Sequence, residues 1–373
     1  MYFGLSEEQV FFQDNIKKFL LEQLTIDSIR NISKGDKKLK MEIHKGLLNL
    51  GINSLIVPEK YGGLGLDLLF GAAVSEGLGY GVATSPFIGS YVMAPLIINY
   101  GGNEEQKEAY LPKITSNDLT FAVGLSAYTG ARDNATIHIN KNKITGRSLF
   151  VYDSTYATHF LIADANGLIG VIDGSSKGVS KIHLKTIDKT RDLIEVCLDK
   201  ADVDILENTT NIDVINKVVD AGRIMLAADT LGCAQSMIDK SVDYAKERQQ
   251  FGRPIGSFQA VKHMCAEMCS DLEPCYSLVW HAAHSYSDFS DESRIMACHA
   301  KSHLSEVGKV IAKKSVEVHG GMGFTDLLGL HYWFKRIGLN RQLLGSPEVT
   351  REVAAKIQPV SYTHLTLPTM DSV

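Results

Sequence analysis

The side chains best suited to hold an anion lie in KERQQFGRPIGSFQAVKH, residues Lys246–His263. Arg248 carries a planar, permanently charged donor fork that matches a phosphate or pyrophosphate. Phe251 offers a flat apolar surface, Gly252, Pro254 and Gly256 set a turn, and Gln259 opens the next helix. A surface pair of Arg248 with Glu247 is the structural alternative. A second stretch, VEVHGGMGF at Val316–Phe324, places Glu317, Gly320, Gly321 and Gly323 where a helix should stop. Glycines there either cap the helix or let a ligand approach the backbone closely. Together the two stretches are a way to hold a phosphate-bearing cofactor without a Rossmann loop.

Charged residues inside apolar runs form the second group. Asp220 and Arg223 stand in VVDAGR, and Asp229 stands in IMLAADTLGCA. A buried charge is costly unless it is paired or functional. Asp220 and Arg223 therefore either meet a ligand or form an internal pair that holds two helices. Asp229 is either a catalytic base or a structural anchor. His299 and His303 share a helix face, but no third metal ligand accompanies them, and no metal site is expected.

These residues need elements to position them. Residues 1–118 read as helical, with Ser6 as the N-cap of LSEEQVFFQDNIKKFL and apolar positions at helical spacing. Residues 119–212 change character. The spacing predicts one hairpin around Asn140–Asn142 and another at Asn166-Gly167, hence a small antiparallel β domain. Residues 213–358 return to helices long enough to lie side by side in a four-helix bundle. The fold class expected is α+β, mainly α. Residues 359–373, PVSYTHLTLPTMDSV, leave the pattern and read as a tail that is not native.

The order of domains and the motifs LSEEQ, VPEKYGGLGL, ERQQFGRPIGSFQAVKH and HGGMGFT resemble the acyl-CoA dehydrogenase family, in particular a short subgroup that includes steroid side-chain and heteromeric enzymes. The resemblance covers nearly the whole chain. It implies an FAD-dependent oxidoreductase that desaturates an acyl-CoA thioester between Cα and Cβ. It also implies an electron-transfer flavoprotein or similar acceptor, and a dimer or tetramer. It assigns Arg248, Phe251, Gln259, Glu317, Gly320 and Gly321 to FAD, with Arg248 and Gln259 reaching it across a subunit interface. It assigns Asp220 and Arg223 to the substrate.

Departures from the family pattern concern the catalytic base. Leu344 stands where most relatives carry the proton-abstracting glutamate, and Gly222 stands where a second branch carries it. Asp229 is the replacement expected, with Glu348 as a further candidate that reads better as part of a helix start. In the β domain, Ala127 and Arg132 replace a glutamate and a hydroxyl residue that contact flavin. Phe150 stands for a tryptophan over the flavin and Tyr152 for a small hydroxyl at its edge. The alternative function is a non-catalytic subunit that completes the FAD site of a paralogous chain.

Composition bounds the rest. The 373 residues carry a net charge of −5 and are 45% hydrophobic, enough for a large core, and no basic stripe suits them to a nucleic-acid partner. Six cysteines without a C-x-x-C pair, no secretory leader pattern and no membrane-length apolar run lead to an expectation of a cytoplasmic protein.

Overall fold

Ser6 accepts a hydrogen bond from the Gln9 amide while the Gln9 side chain bonds back to the Ser6 N–H, and this capping box starts the first helix. The computed structural model describes residues 4–131, 136–152 and 154–358. Six helices open the chain: α1 Glu7–Gln23, α2 Ile26–Ser33, α3 Lys37–Asn49, α4 Leu68–Tyr80, α5 Ala94–Gly101 and α6 Glu104–Thr115. A π-helical segment, Phe87–Met93, leads into α5 and is fully buried. No signal in the residues announces it. Residues Leu68–Gly79 of α4 are all buried, as its apolar composition requires.

The β domain contains β1 Phe121–Gly124, a short helix α7 Ser126–Thr129, β2 Ile137–Asn140, β3 Lys143–Tyr152, β4 His159–Ala163, β5 Ile169–Asp173, β6 Val179–His183, β7 Leu193–Asp202 and β8 Asp204–Ile205. Both expected hairpins form, β2 with β3 and β4 with β5. In the second, Gly167 takes φ +90° and Asp164 Oδ1 accepts the amides of Asn166 and Leu168. The strand order is β6-β7-β3-β1-β4-β5-β8, with β2 on β3. Among the described residues the sheet is antiparallel at every pair but one. The exception is β1 with β4, which run parallel because the β2–β3 hairpin carries the chain back to its starting side.

The remaining helices are α8 Ile212–Glu247, α9 Gln259–His284, α10 Asp291–His319, α11 Leu330–Gln342 and α12 Pro347–Ile357. Between α8 and α9 a hairpin forms from β9 Gln249–Gln250 and β10 Arg253–Pro254. The fourth position of the bundle is shared by α11 and α12, which break at Leu343–Ser346. Ser346 caps α12 and Pro347 occupies its first turn, as the sequence predicts. The α4 and α8 backbones touch at two glycines. A Cβ at Gly79 would lie 2.1 Å from the Asp229 carbonyl oxygen, and one at Gly232 would lie 1.9 Å from that of Glu76. This contact fixes the stretch of α8 that carries Asp229. No helix among the described residues is long and apolar enough to cross a membrane.

Candidate active site

A cleft of about 420 Å³ lies between the β domain and the end of the bundle. One wall comes from β3 and the α7 region (Leu125, Thr129, Phe150, Tyr152), the other from α11 and the α11–α12 break (Gln342, Leu344, Ser346). β3 is bulged between Ser148 and Val151, where Phe150 takes φ +49°. Bulges re-aim the side chains around them, and here Phe150 and Tyr152 both reach the cleft wall. On the opposite wall Leu344 takes φ +55°, a left-handed conformation that a branched residue adopts only when its surroundings hold it there.

Those surroundings are three side chains. The Leu344 amide donates to the Tyr152 hydroxyl oxygen at 3.1 Å. Arg223 Nε donates to the Leu344 carbonyl at 3.1 Å. Lys301 Nζ donates to the carbonyls of Gly345 and Arg341, 3.1 Å each, and to Ser305 Oγ at 3.3 Å. Lys301 is buried without a carboxylate partner, and burial together with Arg223 and Arg341 lowers its pKa to about 7. Sequence reading missed Lys301, although a lysine in the otherwise small-residue run ACHAKS was a visible signal.

The Leu344 side chain points across the cleft floor to α8. An added Cβ at Gly222 would lie 2.4 Å from Leu344 Cδ1 and 3.0 Å from Met93 Sδ. The two positions that could carry a glutamate therefore converge in space, and in this chain an alkyl group fills the hole left by a missing side chain.

Asp229 lies elsewhere, in a buried charge network. Its Oδ1 is 3.0 Å from Arg191 and 3.2 Å from Arg336, and its Oδ2 accepts from Asn340 at 2.6 Å. Arg336, 1% exposed, also bonds Asp188 at 2.9 Å, Thr190 and the Ala83 carbonyl. Burial alone would push the Asp229 carboxyl up, but the two guanidiniums hold it below the ordinary carboxylate range. A carboxylate so held is a weak proton acceptor, and Asp229 does not line the cleft. Neither does Glu348, which pairs with Arg341; Ser346 and its own backbone amide hold it down to about 2.

Asp220 and Arg223 come together, as the internal-pair reading had it. Arg223 bonds Asp220 at 3.1 Å, and Arg294 adds a second contact at 3.3 Å. Burial still raises the Asp220 pKa despite both arginines. Arg223 touches the cleft only through the Leu344 carbonyl.

The expected cofactor residues sit away from this cleft. Arg248 caps the C-terminus of α8, Gln259 starts α9, and both are exposed. Phe251 and Gly252 form the tip of the β9–β10 hairpin with φ +54° and +76°, and Phe251 is 92% exposed. Glu317 is exposed near the end of α10. A Cβ added at Gly320 or Gly321 would meet nothing within 4 Å, so neither glycine is required for packing within the chain. Open backbone, an exposed guanidinium and an exposed aromatic face are groups that fit a dinucleotide. Ala127 packs against the β-domain core, and Arg132 lies outside the described residues. His299 and His303 are exposed on α10.

Comparisons with known proteins agree with this architecture. Residues 6–118 match the acyl-CoA dehydrogenase N-terminal domain and residues 212–358 its C-terminal domain. The chain is 27% identical to a probable acyl-CoA dehydrogenase, YngJ, of Bacillus subtilis, over 95% of this chain and 99% of that protein. It is 28% identical to the CarC subunit of the caffeyl-CoA reductase-Etf complex of Acetobacterium woodii, over 87% and 90%. The fold superimposes on the ChsE4-ChsE5 complex from Mycobacterium tuberculosis with a TM-score of 0.87 at 24% identity, covering 96% of this chain and 100% of that one. The chain belongs to the acyl-CoA dehydrogenase family, whose members are FAD-dependent oxidoreductases acting on CH–CH groups.

Proposed function

We propose that this chain takes part in oxidoreduction at the Cα–Cβ bond of an acyl-CoA thioester. The observation that carries the reading is the cleft between β3 and the α11–α12 break, large enough for planar and acyl groups, in a chain of this family. FAD, when bound, supplies the acceptor or donor of the hydride at Cβ. Arg248, Gln259, Gly320 and Gly321 would hold its phosphates and ribose, and Phe251 would lie against it from the hairpin tip. The exposure of Phe251 supports a contact with a second chain, hence a dimer or a multiple of one. Phe150 and the two leucines at the break exclude water from the reacting carbons. Asp220 and Arg223 set the position of Leu344 from below and act as positioning residues. Asp229 anchors the β domain to the bundle in this reading and does not exchange protons with substrate. In the desaturating direction the chemistry requires an electron acceptor, and an electron-transfer flavoprotein or a protein like it is the one this reading names.

A second reading rests on Leu344 seated against Gly222. Without a carboxylate at either position, the chain would serve as the partner of a paralogous subunit that carries the glutamate, and its hairpin would complete that subunit's FAD site. One preparation separates the two. The full chain, expressed alone, is assayed for bound flavin and for bleaching or reoxidation of that flavin by acyl-CoA thioesters without oxygen. Flavin that responds supports the first reading. A colourless, stable oligomer would sink it in favour of the second.

A further inference from the structure

A second cavity, of about 170 Å³, lies between α2, the loop joining β6 to β7, and the first turns of α11. It shares no lining residue with the cleft. Each of its walls brings cations. Arg30 and Lys34 lie four residues apart at the end of α2, His331 and Lys335 lie four apart at the start of α11, and Lys189 comes from the loop. Residues at this spacing share a helix face, so each pair is turned to the same space. The nearby carboxylates are already answered. Arg30 pairs with Asp27 and, at 2.7 Å, with Asp326, while Asp188 is held by Arg336 at 2.9 Å. Lys34, Lys189 and Lys335 have no ion pair among the described residues. Helix preference accounts for only one of them, since Lys34 caps the C-terminus of α2, where the dipole favours a cation. His331 and Lys335 stand in the first two turns of α11, where the dipole disfavours one. That first turn holds no acidic residue, and no side chain caps its amides. His331 feels the result. Burial, then Lys335, keeps its imidazole below its ordinary range, with Arg30 and Lys189 adding to the effect and Asp326 opposing it.

We infer that this cavity binds a phosphate or pyrophosphate group, held by Lys34, Lys189 and Lys335 with His331 as a further donor. Like charges gathered in a concave site, in a chain of net charge −5, repel one another until an anion meets them. The donor set selects the class of anion. A planar carboxylate is best read by a guanidinium fork, and the fork here, that of Arg30, is spent on Asp326. What is left are ammonium point charges on flexible stems, which suit a compact, multiply charged group. Bound there, the anion would join the N-terminal helices, the β domain and the bundle at one point. The loop it touches also carries Asp188 and Arg191 into the buried network around Asp229. The site is independent of the reading of the cleft.

The test is calorimetric titration of the full chain with sodium pyrophosphate, repeated with inorganic phosphate and with chloride at equal ionic strength. Pyrophosphate should bind and raise the melting temperature, phosphate should bind more weakly, and chloride should not bind. Pyrophosphate should also move the His331 titration upward in NMR spectra, because a neighbouring anion favours the imidazolium. Lys189→Gln combined with Lys335→Gln should weaken pyrophosphate binding by roughly 10–100-fold, the ratio expected for loss of a hydrogen bond to a charged group. Lys34→Gln, on the other wall, should weaken it in the same direction. Lys309→Gln with Lys313→Gln removes the same charge from exposed positions of α10 and should leave affinity unchanged. Wild type that shows neither heat nor a melting shift with pyrophosphate overturns the site. So does an equal loss of affinity in the α10 double variant, which would mark a general charge effect. Binding that survives the cavity substitutions and is lost in Arg248→Gln would put the anion at the α8–α9 hairpin and overturn the assignment.

Discussion

Two polar regions of this molecule, one around Asp229 and one around Leu344, are built on opposite rules. Around Asp229 two carboxylates and two guanidiniums are buried together, each charge answered by another. Around Leu344 the wall is apolar, and its cations, Arg223 and Lys301, spend hydrogen bonds on backbone carbonyls. The first arrangement fixes domains and leaves no proton to move. The second fixes a strained loop beside a cleft. A buried acid in an apolar run is thus a poor guide to catalysis by itself. What decides is whether its neighbours have already neutralised it.

The comparison can be broken most severely at Asp229. Asp229→Ala leaves Arg191 buried without its ion pair and strips Arg336 of one of its two carboxylates, which should cost about 3–5 kcal/mol in chemical denaturation. An active, fully stable Asp229→Ala protein would show that the network does not anchor the fold. Lys301 gives the next effect. Its folded pKa, near 7, lies below its unfolded value of 10.5, so between these values the unfolded chain binds more protons. Stability should therefore rise with pH through this window, by at most about 1.4 kcal/mol per pH unit, and level off below it. Lys301→Met should flatten that slope, read as the difference between the two proteins' pH profiles. Gly222→Ala tests the seat of Leu344. The added methyl overlaps Leu344 Cδ1, and overpacking of this kind costs about 1–3 kcal/mol. Leu344→Ala in the same chain should recover much of that loss. Phe251→Ala should move stability by less than about 0.5 kcal/mol because the ring is exposed. The same change should lower FAD retention, measured as flavin per chain after gel filtration.

Much of the fold was legible in sequence because it is local. Ser6 with Gln9, Asn166-Gly167 and Ser346-Pro347 are each decided by residues within a few positions, and each forms as its chemistry demands. The burial of Asp229 was legible too, from its apolar neighbours. Its partners were not, since Arg336 lies 107 residues away and nothing near Asp229 announces it. The parallel β1–β4 pair and the Tyr152–Leu344 contact, 192 residues apart in sequence, are equally non-local. In the sequence Tyr152 stands out only as a misfit at a flavin edge. Its contact with Leu344 depends on a bulge and on a loop in another domain.

The length of α8 has a consequence for the assembly. Arg223, beneath the cleft, and Arg248, at the hairpin, are 25 residues apart on one helix that runs Ile212–Glu247. At about 1.5 Å per residue that is roughly 37 Å. In the reading proposed above, a cofactor seated on Arg248 therefore starts a long helix away from the cleft of its own chain, and Arg248 would serve a flavin whose ring reaches a neighbour's cleft.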